Sequence, residues 1–189
     1  MTERSTRQTG KNRDPERIAH TFGPCCDSRC RILILGTMPS PKSREQGFYY
    51  GHPQNLFWKT LSDVLGQEEP EPSVEARRAF ALKNHVALWD VLESCQIQGA
   101  DDSSIREAVP VDLWKIFESA PEIRAVFTTG KKAKELYDKY KEEMYRNCPG
   151  RERLEAVYLP STSPANRGVQ KTDRYRELWA QVADALKDS

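Results

Sequence analysis

A phenol, an imidazole and a carboxamide within one short stretch, Tyr50, His52 and Asn55, are the side chains here best suited to gripping a flat, hydrogen-bonding ring. An amide both donates and accepts, and an aromatic ring stacks on a planar partner. They lie in Gly47-Phe-Tyr-Tyr-Gly-His-Pro-Gln-Asn-Leu-Phe-Trp58, a run of aromatics and amides. A second stretch, Pro160-Ser-Thr-Ser-Pro-Ala-Asn-Arg167, is short, polar and stiffened by two prolines. Hydroxyls and backbone N–H groups in such a loop can clamp a phosphate; a plain connection from strand to helix is the alternative. Gly130-Lys131-Lys132 lacks the glycine of a P-loop, since Ala125 stands there, and Lys132 replaces the required Ser or Thr. What remains is a helix start with two lysines, either an anion contact or a solvated end.

Other chemistries are poorly served. No Ser-His-Asp set with a G-x-S-x-G elbow is present. Cys25, Cys26 and Cys30 lie near His20, but without a C-x-x-C pair or a second ligand pair, so we read them as packing or loop cysteines and expect no metal. His85 precedes a strand and reads as structural. Asp101-Asp102-Ser103-Ser104 reads as a helix cap, with one carboxylate able to reach the neighbouring loops.

Four apolar runs must position these loops: Ile32–Leu35, Val86–Trp89, Ile123–Thr128 and Leu154–Leu159. The first is apolar on both faces, as a central parallel strand requires. Helical patterns alternate with them, over Asn55–Leu65, Ser73–Leu82, Val111–Ala120, Lys131–Tyr145 and Asp173–Leu186. Strand–helix alternation predicts an α/β fold, a three-layer α/β/α sandwich around a four-stranded, mostly parallel sheet. Ligands of such sheets bind beyond the carboxyl ends of the strands, which gathers the loops after Leu35, Trp89, Thr128 and Leu159 on one rim.

The chain of 189 residues fits one domain. Residues 1–19 carry Arg4, Arg7, Lys11, Arg13 and Arg17 with almost no apolar side chain and read as a disordered basic tail, leaving 20–189 as the domain. A mean hydropathy of -0.75 suits a soluble protein, and no apolar run approaches a membrane span. With 29 basic against 28 acidic residues the net charge is +1, which excludes a binder driven by bulk charge but leaves local phosphate contacts open. An odd cysteine count of five without a signal segment points to a reducing, intracellular compartment, cytoplasmic in a prokaryote or nuclear in a eukaryote.

Gly36-Thr-Met-Pro39, Gly47-Phe48, Tyr50, His52-Pro53, Asn55 and Phe57-Trp58-Lys59 resemble the first motif of the uracil-DNA glycosylase superfamily, as the mismatch-specific uracil glycosylases show it. Leu159-Pro-Ser-Thr-Ser-Pro-Ala-Asn-Arg167 resembles the second, the loop that enters duplex DNA beside the damaged base. Leu88-Trp-Asp-Val-Leu92 and Asp102-Ser-Ser-Ile105 add a likeness to the hypoxanthine (deoxyinosine) branch. The resemblance spans about Arg31 to Ala185. Met38 stands where uracil-cleaving relatives place the Asn or Asp that activates water, and Leu56 where both branches usually carry Arg.

The resemblance implies a DNA glycosylase that hydrolyses the N-glycosidic bond of a deaminated base, most readily hypoxanthine, and leaves an abasic site. The rival readings are uracil or xanthine as the base, or a non-catalytic module for damaged DNA. It assigns catalysis to Asn55 and the base pocket to Gly36, Thr37, Met38, Pro39, Tyr50 and His52, with a structural role for His52 in fixing the loop as the alternative reading. It gives the DNA contacts to Ser161, Thr162, Ser163, Pro164, Ala165 and Asn166, which Lys131 and Lys132 would extend. No cofactor is implied. The partner is double-stranded DNA, with single-stranded DNA as a second form, and the protein is expected to act as a monomer away from membranes.

Overall fold

The computed structural model describes residues 14–187. Its centre is a parallel sheet of β2 (Ile32–Gly36), β3 (Val86–Asp90), β6 (Ala125–Thr129) and β7 (Ala156–Leu159), in the order β3-β2-β6-β7. All five residues of β2 are buried, as expected of a strand covered on both faces. Helices flank this sheet. α3 (Val74–Lys83) packs on β3, α5 (Lys131–Met144) on β6 and β7, and α6 (Asp173–Lys187) on β2 and β7. α2 (Phe57–Leu65) reaches the core through Phe57, Trp58 and Leu61 and packs against α6, where Thr60 and Tyr175 share a hydroxyl hydrogen bond of 2.8 Å. The chain leaves β2 to one side for β3 and returns on the other side for β6. That reversal places a crevice at the carboxyl ends of β2 and β6.

Two expectations need correction. The stretch after Trp89 is not a helix with a capped start but two of the three strands of a second, antiparallel sheet. β3 runs through Val91 into β4 (Leu92–Gln98), which turns at Gly99-Ala100 into β5 (Asp101–Pro110). Asp101 to Ser104 are therefore strand residues; the Asp101 carboxylate still accepts the Ser103 N–H, but there is no helix to cap. The third strand of this sheet is β1 (Glu16–Ala19), paired antiparallel with β4. The boundary drawn after residue 19 thus moves back. Ile18 is a core residue at 6% exposure, and backbone pairing with β4 orders a segment whose other side chains are exposed. Residues 1–13 of the expected tail, with Arg4, Arg7, Lys11 and Arg13, lie outside the described residues.

Smaller differences are local. The helix expected over Val111–Ala120 contracts to α4 (Trp114–Phe117), because the Asp112 carboxylate takes the Trp114 N–H and starts the turn late. A short α1 (Pro41–Gln46) follows β2, capped by the Ser40 hydroxyl on Ser43 N–H with Pro41 in its first turn.

Candidate active site

One cavity of about 150 Å³ opens at the β2–β6 crevice, and Gly36, Thr37, Met38, Pro39, Tyr50, Asn55 and the loop Ser161–Ser163 line it. An engineered protein cavity of roughly that volume holds one benzene ring. The space is on the scale of a single base rather than a whole nucleotide.

Tyr50 adopts a left-handed backbone conformation, φ 52°, which costs a non-glycine residue about 1–3 kcal/mol and persists only where surroundings enforce it. They do. The ring stacks on Phe57 with centroids 3.7 Å apart and planes 5° from parallel, and the hydroxyl lies 3.0 Å from Thr129 Oγ1 at the end of β6. One face of the ring is thus occupied, so only the opposite face can receive a ligand. Burial, and then the nearby Asp90 carboxylate, hold the phenol proton on well above the ordinary tyrosine range.

Asn55 is held just as firmly. Its side-chain oxygen accepts the Phe57 N–H at 2.9 Å, and its own N–H donates to the His52 carbonyl at 2.9 Å. A backbone N–H can only donate, so this contact fixes which side-chain atom is the carbonyl. Among the described residues, one lone pair of the carbonyl and both amide hydrogens take no partner. The next N–H, of Leu56, donates to the Thr162 carbonyl at 3.1 Å and ties the first loop directly to the last.

In that last loop Ser161 Oγ accepts the Ser163 N–H and Ser163 Oγ accepts the Ala165 N–H. Gln170 donates to the carbonyls of Ser161 and Ser163 and braces the turn. With their oxygens used as acceptors, neither serine O–H group donates to a partner among the described residues, and both can donate to a phosphate. Pro164–Asn166 form a 3-10 turn, and Ala165 and Asn166 are exposed beyond the cavity.

Some expected residues fall elsewhere. His52 does not line the cavity, since its Nδ1 accepts the Gln54 N–H at 3.1 Å and fixes the loop from outside. Lys131 and Lys132 begin α5 next to the rim without lining it, and Lys132 is within 3.4 Å of Glu135. Cys25 and Cys30 are buried, and burial pushes their thiols up to about 11 and about 12. Among the described residues no group of three or more His, Cys, Asp or Glu side chains could hold a metal ion.

Two carboxylates complete the lining: Asp90, at the end of β3, to which motif reading gave no role, and Asp102, in β5, from the run expected to send one carboxylate towards the neighbouring loops. Asp90 Oδ2 lies 2.9 Å from His20 Nε2, with side chains 6% and 2% exposed. Asp102 accepts the Thr37 hydroxyl at 2.9 Å. Burial raises the Asp102 carboxyl above its ordinary value, against the lowering effect of the Thr37 bond and with a further push from Asp90.

That shift has a sign. A carboxyl whose proton is held more tightly in the folded chain costs nothing below its unfolded value of 3.8, and the cost grows as pH rises through the folded value. Asp102→Asn keeps an acceptor for Thr37 and removes the charge. Its Tm at pH 7.5 is expected to exceed the native one by on the order of a few degrees, and the difference should close near pH 3.5. Thermal melts across that range check it; a constant difference would assign the effect to packing instead of charge.

Sequence comparison agrees with this architecture. A model of the uracil DNA glycosylase superfamily matches residues 22–187, so the chain belongs to that superfamily. Two curated relatives named hypoxanthine DNA glycosylase are similar to it. The one from Methanosarcina acetivorans is 31% identical over 82% of this chain and 92% of its own length. The one from Methanosarcina barkeri is 32% identical over 85% and 95%. A solution NMR structure from Methanosarcina acetivorans, named as a candidate uracil DNA glycosylase, superimposes with a TM-score of 0.69 at 30% identity, covering 88% of this chain and 96% of that one.

Proposed function

We propose that this protein is a single-function DNA glycosylase that releases hypoxanthine from double-stranded DNA and leaves an abasic site. The observation that carries the reading is the convergence of Tyr50, Asn55 and Ser161–Ser163 on one base-sized cavity. The names of the two curated relatives support the choice of base.

A base inside a duplex is out of reach, so the nucleotide must swing out of the stack at a cost of a few kcal/mol, least for a mispaired base. Stacking on the free face of Tyr50 returns roughly 1–3 kcal/mol. Because Phe57 already backs that ring, the platform stands in place before the base arrives. Ser161 and Ser163 then hold the flanking phosphates. Asn55 orients a water through its remaining carbonyl lone pair. An amide is a poor proton acceptor, so the C1′–N9 bond breaks first: its electrons leave with the purine, and the water oxygen adds to the cationic sugar. The water proton passes to the departing base or to solvent. The activity belongs to the cell compartment that holds the DNA, and one monomer supplies every group named.

Duplexes carrying one hypoxanthine, uracil or xanthine, incubated with the protein and then treated with alkali, test the reading. Strand cleavage at hypoxanthine above the other two is the expected result. Cleavage confined to uracil would move the chain to a uracil-specific role, and binding without any cleavage would make it a damage-recognition module.

A further inference from the structure

We propose that Asp90, held in place by His20, selects the base by accepting the ring N1–H of the extruded hypoxanthine on its free carboxylate oxygen. This rests on the glycosylase reading above and adds to it the group that tells the damaged base from its parent.

The pair is built, not incidental. His20 follows β1 and Asp90 ends β3, so residues 70 positions apart meet through two different sheets. Phe22, Tyr49 and Trp89 enclose the imidazole, with ring centroids at 4.8, 6.1 and 6.5 Å. A carboxylate only accepts, so the proton between them sits on Nε2. The Nδ1 atom is then buried with no hydrogen-bond partner among the described residues. Burying a charged carboxylate and leaving one imidazole nitrogen unsatisfied is costly.

The geometry says what the arrangement offers. His20 occupies Oδ2, while Oδ1 reaches over Gly36 and accepts no hydrogen bond among the described residues. Asp90 is buried yet lines the cavity, so Oδ1 presents a fixed, charged acceptor to whatever enters. Hypoxanthine carries a donor at N1. Adenine, its parent and a vastly commoner competitor, carries a lone pair there, which the carboxylate repels. Xanthine loses a ring proton near neutral pH, and its anion meets two carboxylates, Asp90 and Asp102. Guanine shares the N1–H, so this contact separates hypoxanthine from adenine and xanthine but not from guanine. Polar sites of this kind discriminate strongly because the wrong partner leaves buried groups unpaired. His20 touches no base. It is a positioning residue that stops the carboxylate from turning away.

The test is a set of binding ratios. Duplexes carrying a 2′-fluoro nucleotide, which resists cleavage, are prepared with hypoxanthine, adenine or xanthine at one site, and Kd is measured for the native chain, Asp90→Asn and His20→Gln. Asp90→Asn keeps size and shape but turns an acceptor-only group into one that also donates. The preference for hypoxanthine over adenine and over xanthine is expected to fall about 10- to 100-fold in Asp90→Asn, the range of one charge-assisted hydrogen bond, and less in His20→Gln. Affinity for undamaged duplex should stay within about threefold, because the phosphate contacts lie in another loop. Should Asp90→Asn fail to fold, the smaller fall in His20→Gln, with native far-UV circular dichroism, carries the decision. Unchanged ratios in a folded variant overturn the proposal even if excision slows, since the pair would then be structural. Native protein that excises hypoxanthine beside such unchanged ratios leaves the glycosylase reading intact; native protein without excision or preference overturns both.

Discussion

Asn55→Ala is expected to slow excision of hypoxanthine by about 10³-fold or more, while affinity for the same duplex changes less than about threefold. The size follows from the chemistry. Removing one preorganised group at a reacting centre costs on the order of 10²–10³ in rate, and Asn55 would both orient the water and fix the loop that carries Tyr50. The second effect can be separated from the first. The alanine variant also loses the acceptor for the Phe57 N–H, a helix-start contact worth about 1 kcal/mol, so a small fall in Tm should accompany the loss of activity. Asn55→Asp restores that contact and is expected to recover the Tm. Its carboxylate can take a proton from water, which an amide cannot, so its activity reports whether the amide hydrogens matter. Single-turnover excision with enzyme in excess is the measurement. Turnover near the native level in Asn55→Ala would remove Asn55 from the reaction.

The parallel sheet was legible because its signal is simple. Ile32 to Leu35 is apolar on both faces, and only a strand covered on both sides needs that. The boundaries of α3 and α6 were legible too, the first from Ser73 as cap, which accepts the Ala76 N–H. The antiparallel sheet was not. In β5 only Ile105 is buried, so no alternation of apolar and polar side chains marks it, and backbone pairing with β4 alone makes it a strand. The available signal was the turn: Gly99 adopts a φ of 60° between Gln98 and Asp101, as a two-residue hairpin with glycine at its first position requires. Reading Asp101-Asp102-Ser103-Ser104 as a cap missed it, since the same residues favour both.

The site divides the same way. Tyr50, Asn55 and Ser161 to Ser163 each sit in a local motif, and residue type with the family resemblance brought them forward as candidates. Asp90 lay in plain view at the carboxyl end of β3, a position the strand rule already placed on the rim. What sequence could not supply was its partner. His20 precedes every motif, and only the pairing of β1 with β4 brings it against the pocket. Asp102 arrives through the hairpin that went unread. The two loops give the site its recognisable residues, while the second sheet adds Asp102 and brings up the His20 that holds Asp90.

Gly36→Ala should disable the pocket as thoroughly as any substitution in the reacting groups. Gly36 closes β2 with an ordinary backbone, so no conformational need selects glycine there. Space does. A methyl group on Gly36 would lie 2.4 Å from Asp90 Oδ1 and 3.4 Å from the Tyr50 hydroxyl oxygen. Neither neighbour can easily give way, because His20 holds the carboxylate and Thr129 with Phe57 holds the tyrosine. Overpacking of this kind costs about 1–3 kcal/mol, or a fall in Tm of roughly 2–12 °C for a chain of this size. Excision should fall by about 100-fold or more, because relief of the clash must displace either the base-reading carboxylate or the stacking ring. Gly23→Ala is the matched control, since nothing lies within 4 Å of the added methyl group, and it should leave Tm unchanged. Melting curves and single-turnover excision on both variants decide it. If Gly36→Ala melts and turns over like Gly23→Ala, then Asp90 and Tyr50 do not meet over Gly36, and the floor of the pocket is built differently.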